Sequence, residues 1–339
     1  MGEVFAGRYE LLEPIASGGM GTVWRVVDQA DGSVLAAKIL RQSDAESLLR
    51  FVREQSMRID HTHVVTPRSW AGVDDRVLFT MPLVRGGSVA ELVREHGTLP
   101  VRWVAALTDQ TLQALEAVHA AGIVHRDVKP GNLLLEPTGS GVPHLRLTDF
   151  GIAAPMDGPR MTHASVAIGT PGYMPPEQWH GADPDPRADL YAVGRVALEM
   201  PTGQRPRAGA DPETVPQSLG DPARDALLAV ITRACATAVG ERPASAAAMR
   251  ADLGALGLLS LPPTPYDVVF VPDRFGAAAA DAPAAPTLRA GAPGPGPTLA
   301  LRPDARTAAA GGHGTLVGAL LVVGGLVGLA LAVVLVLSA

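Results

Sequence analysis

The chain has 339 residues, room on length alone for two or more folded units. A formal net charge of -6 and a pI near 5.8 supply no basic field, which removes nucleic acid from the expected partners. Cys235 is the only cysteine, so an intramolecular disulfide and a cysteine-built zinc site are both excluded.

Met1 to Tyr9 carries Glu3 and Arg8 and lacks the apolar run of a signal peptide, so the N-terminal part is expected to stay where it is made. Tyr9 to Leu12 leads into Ile15-Ala16-Ser17-Gly18-Gly19-Met20-Gly21-Thr22-Val23, which reads as strand, turn, strand. Small residues in such a turn let backbone N–H groups approach phosphate oxygens. Val34 to Leu40 is an apolar strand that carries Lys38. An ammonium in a half-buried strand needs a counter-charge, and the helical stretch Ala45 to Ile59 offers Glu46 and Glu54. Strand-like Val64-Val65 and Val77 to Met81 follow, then the crossing segment Pro82 to Ser88.

Val101 to Ala121 places Val104, Leu107, Leu112, Leu115 and Val118 at helical spacing, and Gly122 stops the helix. The loop His125-Arg126-Asp127-Val128-Lys129-Pro130-Gly131-Asn132 then sets a carboxylate, an ammonium and an amide at offsets 0, +2 and +5. Asp127 can accept a proton from an attacking hydroxyl, Lys129 can neutralise a phosphoryl oxygen, and Asn132 can hold a divalent cation. Leu133 to Leu135 and Leu145 to Leu147 read as short strands around a Gly/Pro turn that bring Asp149 beside Asn132. Thr162, Ser165 and Thr170 are hydroxyls between Asp149 and Glu177, and Arg126 offers a planar fork of donors to a phosphate placed there.

The pattern fades after about Leu259. Gly276 to Gly312 is 37 residues, 26 of them Ala, Pro or Gly with no aromatic, too poor in apolar bulk to fold. Leu316 to Leu337 is 22 residues without a charge, as a helix roughly 33 Å long, which predicts a transmembrane span. Arg302, Arg306 and His313 precede it, so the positive-inside tendency assigns residues 1–315 to the cytoplasm and Ser338 and Ala339 to the far side. Gly324 and Gly328 form a GxxxG pair, which leaves open a homodimer through this helix.

The loop at 125–132 matches H-R-D-x-K-x-x-N, and seventeen residues after Asn132 stands Asp149-Phe150-Gly151. On these motifs the chain resembles bacterial serine/threonine protein kinases of the eukaryotic-like type. The glycine turn is similar to G-x-G-x-x-G-x-V, with Gly18, Gly21 and Val23 in register and Ala16 in place of the first glycine. Ala36-Ala37-Lys38-Ile39 is similar to V-A-I-K, and Gly169 to Glu177 to G-T-P-x-Y-M-x-P-E. The resemblance implies that Lys38 reaches the nucleotide phosphates, paired with Glu54 in an R-F-x-x-E context. It implies further that the adenine meets the backbone after Met81, through the Pro82 carbonyl and the Val84 N–H. It also implies that Asn132 and Asp149 hold Mg2+ or Mn2+ and that Asp127 and Lys129 are catalytic. By the same resemblance Thr170 bonds the catalytic aspartate and lysine, Glu177 pairs with Arg242, and Asp189 braces the catalytic loop.

The expected architecture is α+β: a bilobal kinase fold over residues 9–257, with a β-rich N-lobe and an α-rich C-lobe. A disordered linker over 258–315 and a transmembrane helix over 316–337 complete it. The implied function is transfer of the ATP γ-phosphate to serine or threonine of protein substrates, with autophosphorylation, by a membrane-tethered signalling enzyme. A homodimer through the kinase domain is also open. The alternative is a membrane-anchored pseudokinase serving as a binding module, supported by Ala16 alone.

Overall fold

Alternation of apolar residues from Val4 to Pro82 builds a sheet with two different faces. The computed structural model describes residues 2–18, 21–41, 59–74, 76–149, 154–155, 170–179, 181–183, 185–207, 218, 220–262, 264 and 268–276. Strands β1 (Val4–Phe5), β2 (Tyr9–Gly18), β3 (Gly21–Asp28), β4 (Val34–Arg41), β5 (Ser69–Val73) and β6 (Arg76–Pro82) pair antiparallel in the order β1-β2-β3-β4-β6-β5. One face closes a small core of Phe5, Tyr9, Leu11, Val26, Leu35, Ala37 and Leu78. The other face gives Leu40, Val77 and Phe79 to the main core. Val23 stands opposite Lys38 and Arg25 opposite Ala36, so these four side chains share that second face.

Helix α1 (Val89–His96) starts at a capping box: the Glu91 N–H donates to Ser88 Oγ, and the Ser88 N–H donates to Glu91 Oε2 at 2.8 Å. Helix α2 (Val101–Ala120) is the spine of the lower half, burying Trp103, Val104, Leu107, Leu112, Leu115 and Val118. It stops at Gly122, whose φ of +74° suits the glycine that the sequence placed there. Strands β7 (Ile123–Val124), β8 (Leu133–Leu135), β9 (Leu145–Leu147) and β10 (Ala154–Pro155) form two short ladders, β7 with β10 and β8 with β9. Helices α3 (Pro176–Trp179), α4 (Pro186–Thr202), α5 (Pro222–Ala234) and α6 (Ala246–Ala255) follow, and α4 and α6 pack on α2. Pro186 and Pro222 stand at first helical positions behind Asp185 and Asp221, whose carboxylates accept from the Arg187 and Arg224 N–H groups.

A β-rich upper part and a helical lower part agree with the expected bilobal arrangement. The helix expected over Ala45 to Ile59 falls almost wholly on residues 42–58, outside the described residues, as do 316–337 and all of 277–315. Among the described residues no helix is long and apolar enough to cross a membrane.

Three differences stand out. Val64-Val65 forms only an isolated bridge to Leu147, because this stretch is a loop that touches β9 and does not run alongside a strand. Strand β5 was not anticipated: Ser69-Trp70-Ala71-Gly72-Val73 mixes small and polar residues and joins the sheet edge through β6. The boundary at 257 is set too early. Leu258, Val269 and Val271 are buried, and Val271 exchanges both backbone hydrogen bonds with Gly139. The first part of the supposed linker therefore belongs to the folded unit, because its alternating valines bury one side.

Candidate active site

The catalytic loop is held from below by one carboxylate. Asp189, on α4 and fully buried, accepts the His125 N–H at 2.9 Å and the Arg126 N–H at 2.8 Å. His119 Nε2, on α2, donates to the same carboxylate at 2.8 Å. Burial opposes the charged form of Asp189, but the bond from His119 and the neighbouring donors outweigh it and hold its pKa below the ordinary carboxylate value. That bracing has a backbone to hold: Arg126 has φ +66°, a left-handed conformation costing about 1–3 kcal/mol for a non-glycine residue.

Above this brace, His125 Nδ1 accepts the Asp127 N–H at 3.3 Å while Nε2 lies 3.0 Å from the Thr148 carbonyl, so the network assigns the proton to Nε2. The Asp127 carboxylate is 5% exposed and engaged at both oxygens. Thr170 Oγ1 donates to Oδ1 at 3.0 Å; Lys129 Nζ donates to Oδ2 at 2.6 Å and Asn132 Nδ2 at 3.1 Å. Asn132 Nδ2 also donates to the Asp127 carbonyl at 2.8 Å. Cation, amide and hydroxyl thus orient one carboxylate whose remaining lone pairs are free to take a hydroxyl proton.

Asp149 arrives beside Asn132 because β8 and β9 pair Leu133 with Leu147, and the Thr148 N–H donates to the Asn132 carbonyl at 3.0 Å. Lys38, mostly buried on β4, forms an ion pair with Asp149. Glu54, expected as its partner, lies outside the described residues, as do Gly19, Met20, Phe150, Gly151, Thr162 and Ser165. Asp149 and Asn132 together present a carboxylate and an amide, hard oxygen ligands of the kind a magnesium ion takes. Among the described residues no cluster of three or more His, Cys, Asp or Glu could hold a metal by itself. A carboxylate and an amide oxygen fit a magnesium ion that keeps water and substrate oxygens for its other positions.

The glycine turn closes the upper wall. Gly21 has φ +131°, and an added Cβ would lie 2.2 Å from the Ile39 carbonyl oxygen, so only glycine fits. Ala16 lies in β2 opposite Val23, just past a bulge between Pro14 and Ala16, and its φ is not positive, so an alanine is tolerated there. Ile15, Ser17, Gly18 and Thr22 lie on the same hairpin. Met81 and Pro82 end β6 opposite Ala36 and Leu35. Val84 is buried two residues past the end of β6.

Glu177 and Arg242 pair as expected: the guanidinium, 0% exposed, donates to both carboxylate oxygens at 2.6 and 2.8 Å. Arg126 is half-buried, and burial lowers its pKa, against Asp189 and Asp183. It lines a cleft with Asp127, Thr170, Tyr173, Met174 and Gln178. Sequence reasoning missed His119, read only as part of the helical pattern, because its partner is 70 residues away. It also missed the buried pair in which the Tyr173 hydroxyl donates to Glu199 at 2.5 Å. Neither has a local signal.

His63, buried behind β9, donates from Nδ1 to the Leu145 carbonyl at 2.7 Å, with the His144 ring 4.9 Å away. Burial depresses its pKa, aided by His144 and His61 and opposed by the Leu145 bond. The unfolded chain therefore binds the proton more readily, and stability is lost as pH falls through about 6.5. His63→Asn keeps a donor to Leu145 and is expected to narrow its stability deficit against wild type between pH 7.5 and 5.5 in urea titrations. A deficit constant with pH contradicts this.

With the geometry in view, the fold and site define a protein kinase domain. The family model described as "Protein kinase domain" matches residues 9–231, and the chain belongs to that family. Over 225 residues it is 37% identical to serine/threonine-protein kinase PknA of Mycobacterium tuberculosis, covering 63% of this chain and 51% of the relative. It is 40% identical over 225 residues to PkaB of Streptomyces coelicolor (63% and 53%) and 36% identical over 261 residues to PkaA of the same organism (70% and 48%). The chain spans about half the length of the curated relatives it matches.

Proposed function

We propose that this chain is a serine/threonine protein kinase that transfers the γ-phosphate of ATP to hydroxyls of protein substrates. The observation that carries the reading is the Asp127 carboxylate, oriented by Thr170, Lys129 and Asn132 beside the Lys38–Asp149 pair. Asp127 orients the acceptor hydroxyl and takes its proton, and Lys129 offsets charge on the transferring group. Lys38 steadies the nucleotide phosphates, and Pro82 and Val84 meet the adenine. Asn132 and Asp149 would hold Mg2+, which when bound neutralises charge on the phosphate oxygens. The relatives' printed names, all serine/threonine-protein kinases, support the acceptor class. Ala16, the one feature favouring a non-catalytic binding module, stays paired with Val23 in the β2–β3 ladder, just past a bulge at Ile15.

Thr170 already donates its hydroxyl to Asp127, which leaves Thr162 and Ser165 as the segment's candidate phosphate acceptors, with Arg126 as the receiving cation. The uncharged run Leu316 to Leu337 supports a membrane anchor with the kinase domain on the cytoplasmic face. Incubation of the full chain with Mg2+, γ-labelled ATP and a mixed protein acceptor, followed by phosphoamino-acid analysis, tests the reading. Label on phosphoserine and phosphothreonine is expected; label confined to phosphotyrosine contradicts the acceptor class.

A further inference from the structure

The residues that follow α6 return to the hinge, and they lie beyond the stretch, 9–231, that matches the family. Val269 and Val271 anchor them, at 2% and 1% exposure. Beyond that anchor the contacts are polar and directed at the crossing segment. The Arg274 N–H donates to the Arg85 carbonyl at 2.9 Å, and its guanidinium donates to the Gly86 carbonyl at 3.3 Å and to both Glu95 oxygens at 2.8 and 3.0 Å. In return Arg85 pairs with Asp273 at 2.5 Å and donates to the Gly276 carbonyl.

The fit leaves no room for side chains on the hinge. A Cβ on Gly86 would lie 2.4 Å from the Leu135 carbonyl oxygen and 2.7 Å from Val271 Cγ1, and one on Gly87, at φ +84°, would lie 2.3 Å from Arg274 Nε and 2.7 Å from Glu91 Oε2. Gly86 is required by the Leu135 backbone and Gly87 by its positive φ, and the segment packs directly against both. The far end reaches the other lobe: the Arg25 guanidinium lies 5.9 Å from the centroid of the Phe275 ring. Arg25 stands opposite Ala36 on the same sheet face as Lys38, and it pairs with Glu13 at 3.0 Å. The segment therefore touches α1 through Glu95, the hinge through Arg85 and Gly86, and β3 through Arg25.

We propose that Asp273–Gly276 is a clasp across the hinge that forms the outer rim of the nucleotide cleft, with Arg274 and Phe275 as positioning residues for ATP. The proposal rests on the kinase reading for the identity of the ligand. By tying α1 and β3 to the same four residues, the clasp limits the splay of the two lobes about Arg85–Gly87 and keeps the adenine-facing backbone in place. Nucleotide affinity then depends on contacts that the nucleotide itself does not make.

The test uses the full chain carrying Arg274→Glu, Phe275→Ala, the charge swap Glu95→Arg with Arg274→Glu, and Val268→Ser, an outward-facing control in the same segment. Calorimetric Kd for MgATP is expected to rise about fivefold in Arg274→Glu, on the order of one lost ion pair, and less in Phe275→Ala. The charge swap recovers most of the loss, Val268→Ser shows none, and the KM for a protein acceptor stays within about twofold. An Arg274→Glu Kd within about twofold of wild type overturns the proposal even if the melting temperature falls, because the segment is then packing only. Should wild type bind no nucleotide, the kinase reading fails by itself. Amide exchange at position 274, whose N–H donates to the Arg85 carbonyl, then reads the clasp: faster exchange in Arg274→Glu supports it, and unchanged exchange overturns it.

Discussion

Asp127→Asn is expected to lower phosphotransfer by about a thousandfold while leaving MgATP affinity nearly unchanged. The amide keeps the shape of the carboxylate and one oxygen for Lys129 or Thr170, so the loop stays in place. What it loses is the second anionic oxygen, and with it the capacity to take a proton from the acceptor hydroxyl. Both wild-type oxygens are engaged, Oδ1 by Thr170 at 3.0 Å and Oδ2 by Lys129 at 2.6 Å, so the orientation of the group is set before any substrate arrives. Initial rates with a saturating protein acceptor, beside calorimetric titration with ATP, separate the two properties. A variant within about tenfold of wild type in rate removes Asp127 from the reaction.

Arg242→Ala is expected to be the most damaging substitution outside the cleft. The guanidinium is fully buried, pairs with Glu177 in a two-pronged geometry, donates to the Ala236 carbonyl at 2.8 Å, and lies 4.9 Å over the Tyr191 ring. Removing one partner of such a pair leaves the other charge without compensation and costs about 3–5 kcal/mol, about 10 °C in melting temperature for a domain of this size. Glu177 is the second residue of α3, between Pro175 and Gln178, which line the cleft with Thr170, Tyr173 and Met174, so activity is expected to fall with stability. Glu177→Gln should lose less, because the amide oxygen keeps one acceptor. Equal melting temperatures for wild type and Arg242→Ala contradict this account.

Much of the site is legible in the sequence because its chemistry is packed into short stretches. Asp127, Lys129 and Asn132 share one loop, and the short leucine-rich strands at 133–135 and 145–147 fix where Asp149 must land. The glycine at 21 reveals itself because nothing larger fits there. Glu177, Arg242 and Asp189 are charged residues whose partners show only through motif order, and the structure pairs Glu177 with Arg242 and Asp189 with the 125–126 backbone as that order implied. What stays hidden is what depends on partners far along the chain. His119 looks like one more position on a helix until Asp189 arrives 70 residues later. Val269 and Val271 look like the start of a linker, because two alternating valines are too short a pattern to announce a docking site. Strand β5 has a similar cause, since an edge strand with one paired side needs little apolar character.

The central claim is that Lys38, Asp127, Asn132 and Asp149 gather around one magnesium nucleotide. Titration of the full chain with ATP, with and without Mg2+, for wild type and Asp149→Asn, tests it most directly. Saturable one-to-one binding in wild type that strengthens with Mg2+, a gain that Asp149→Asn largely loses, is the predicted result. No saturable binding of ATP by the folded wild-type chain, or equal magnesium dependence in the two proteins, would contradict it.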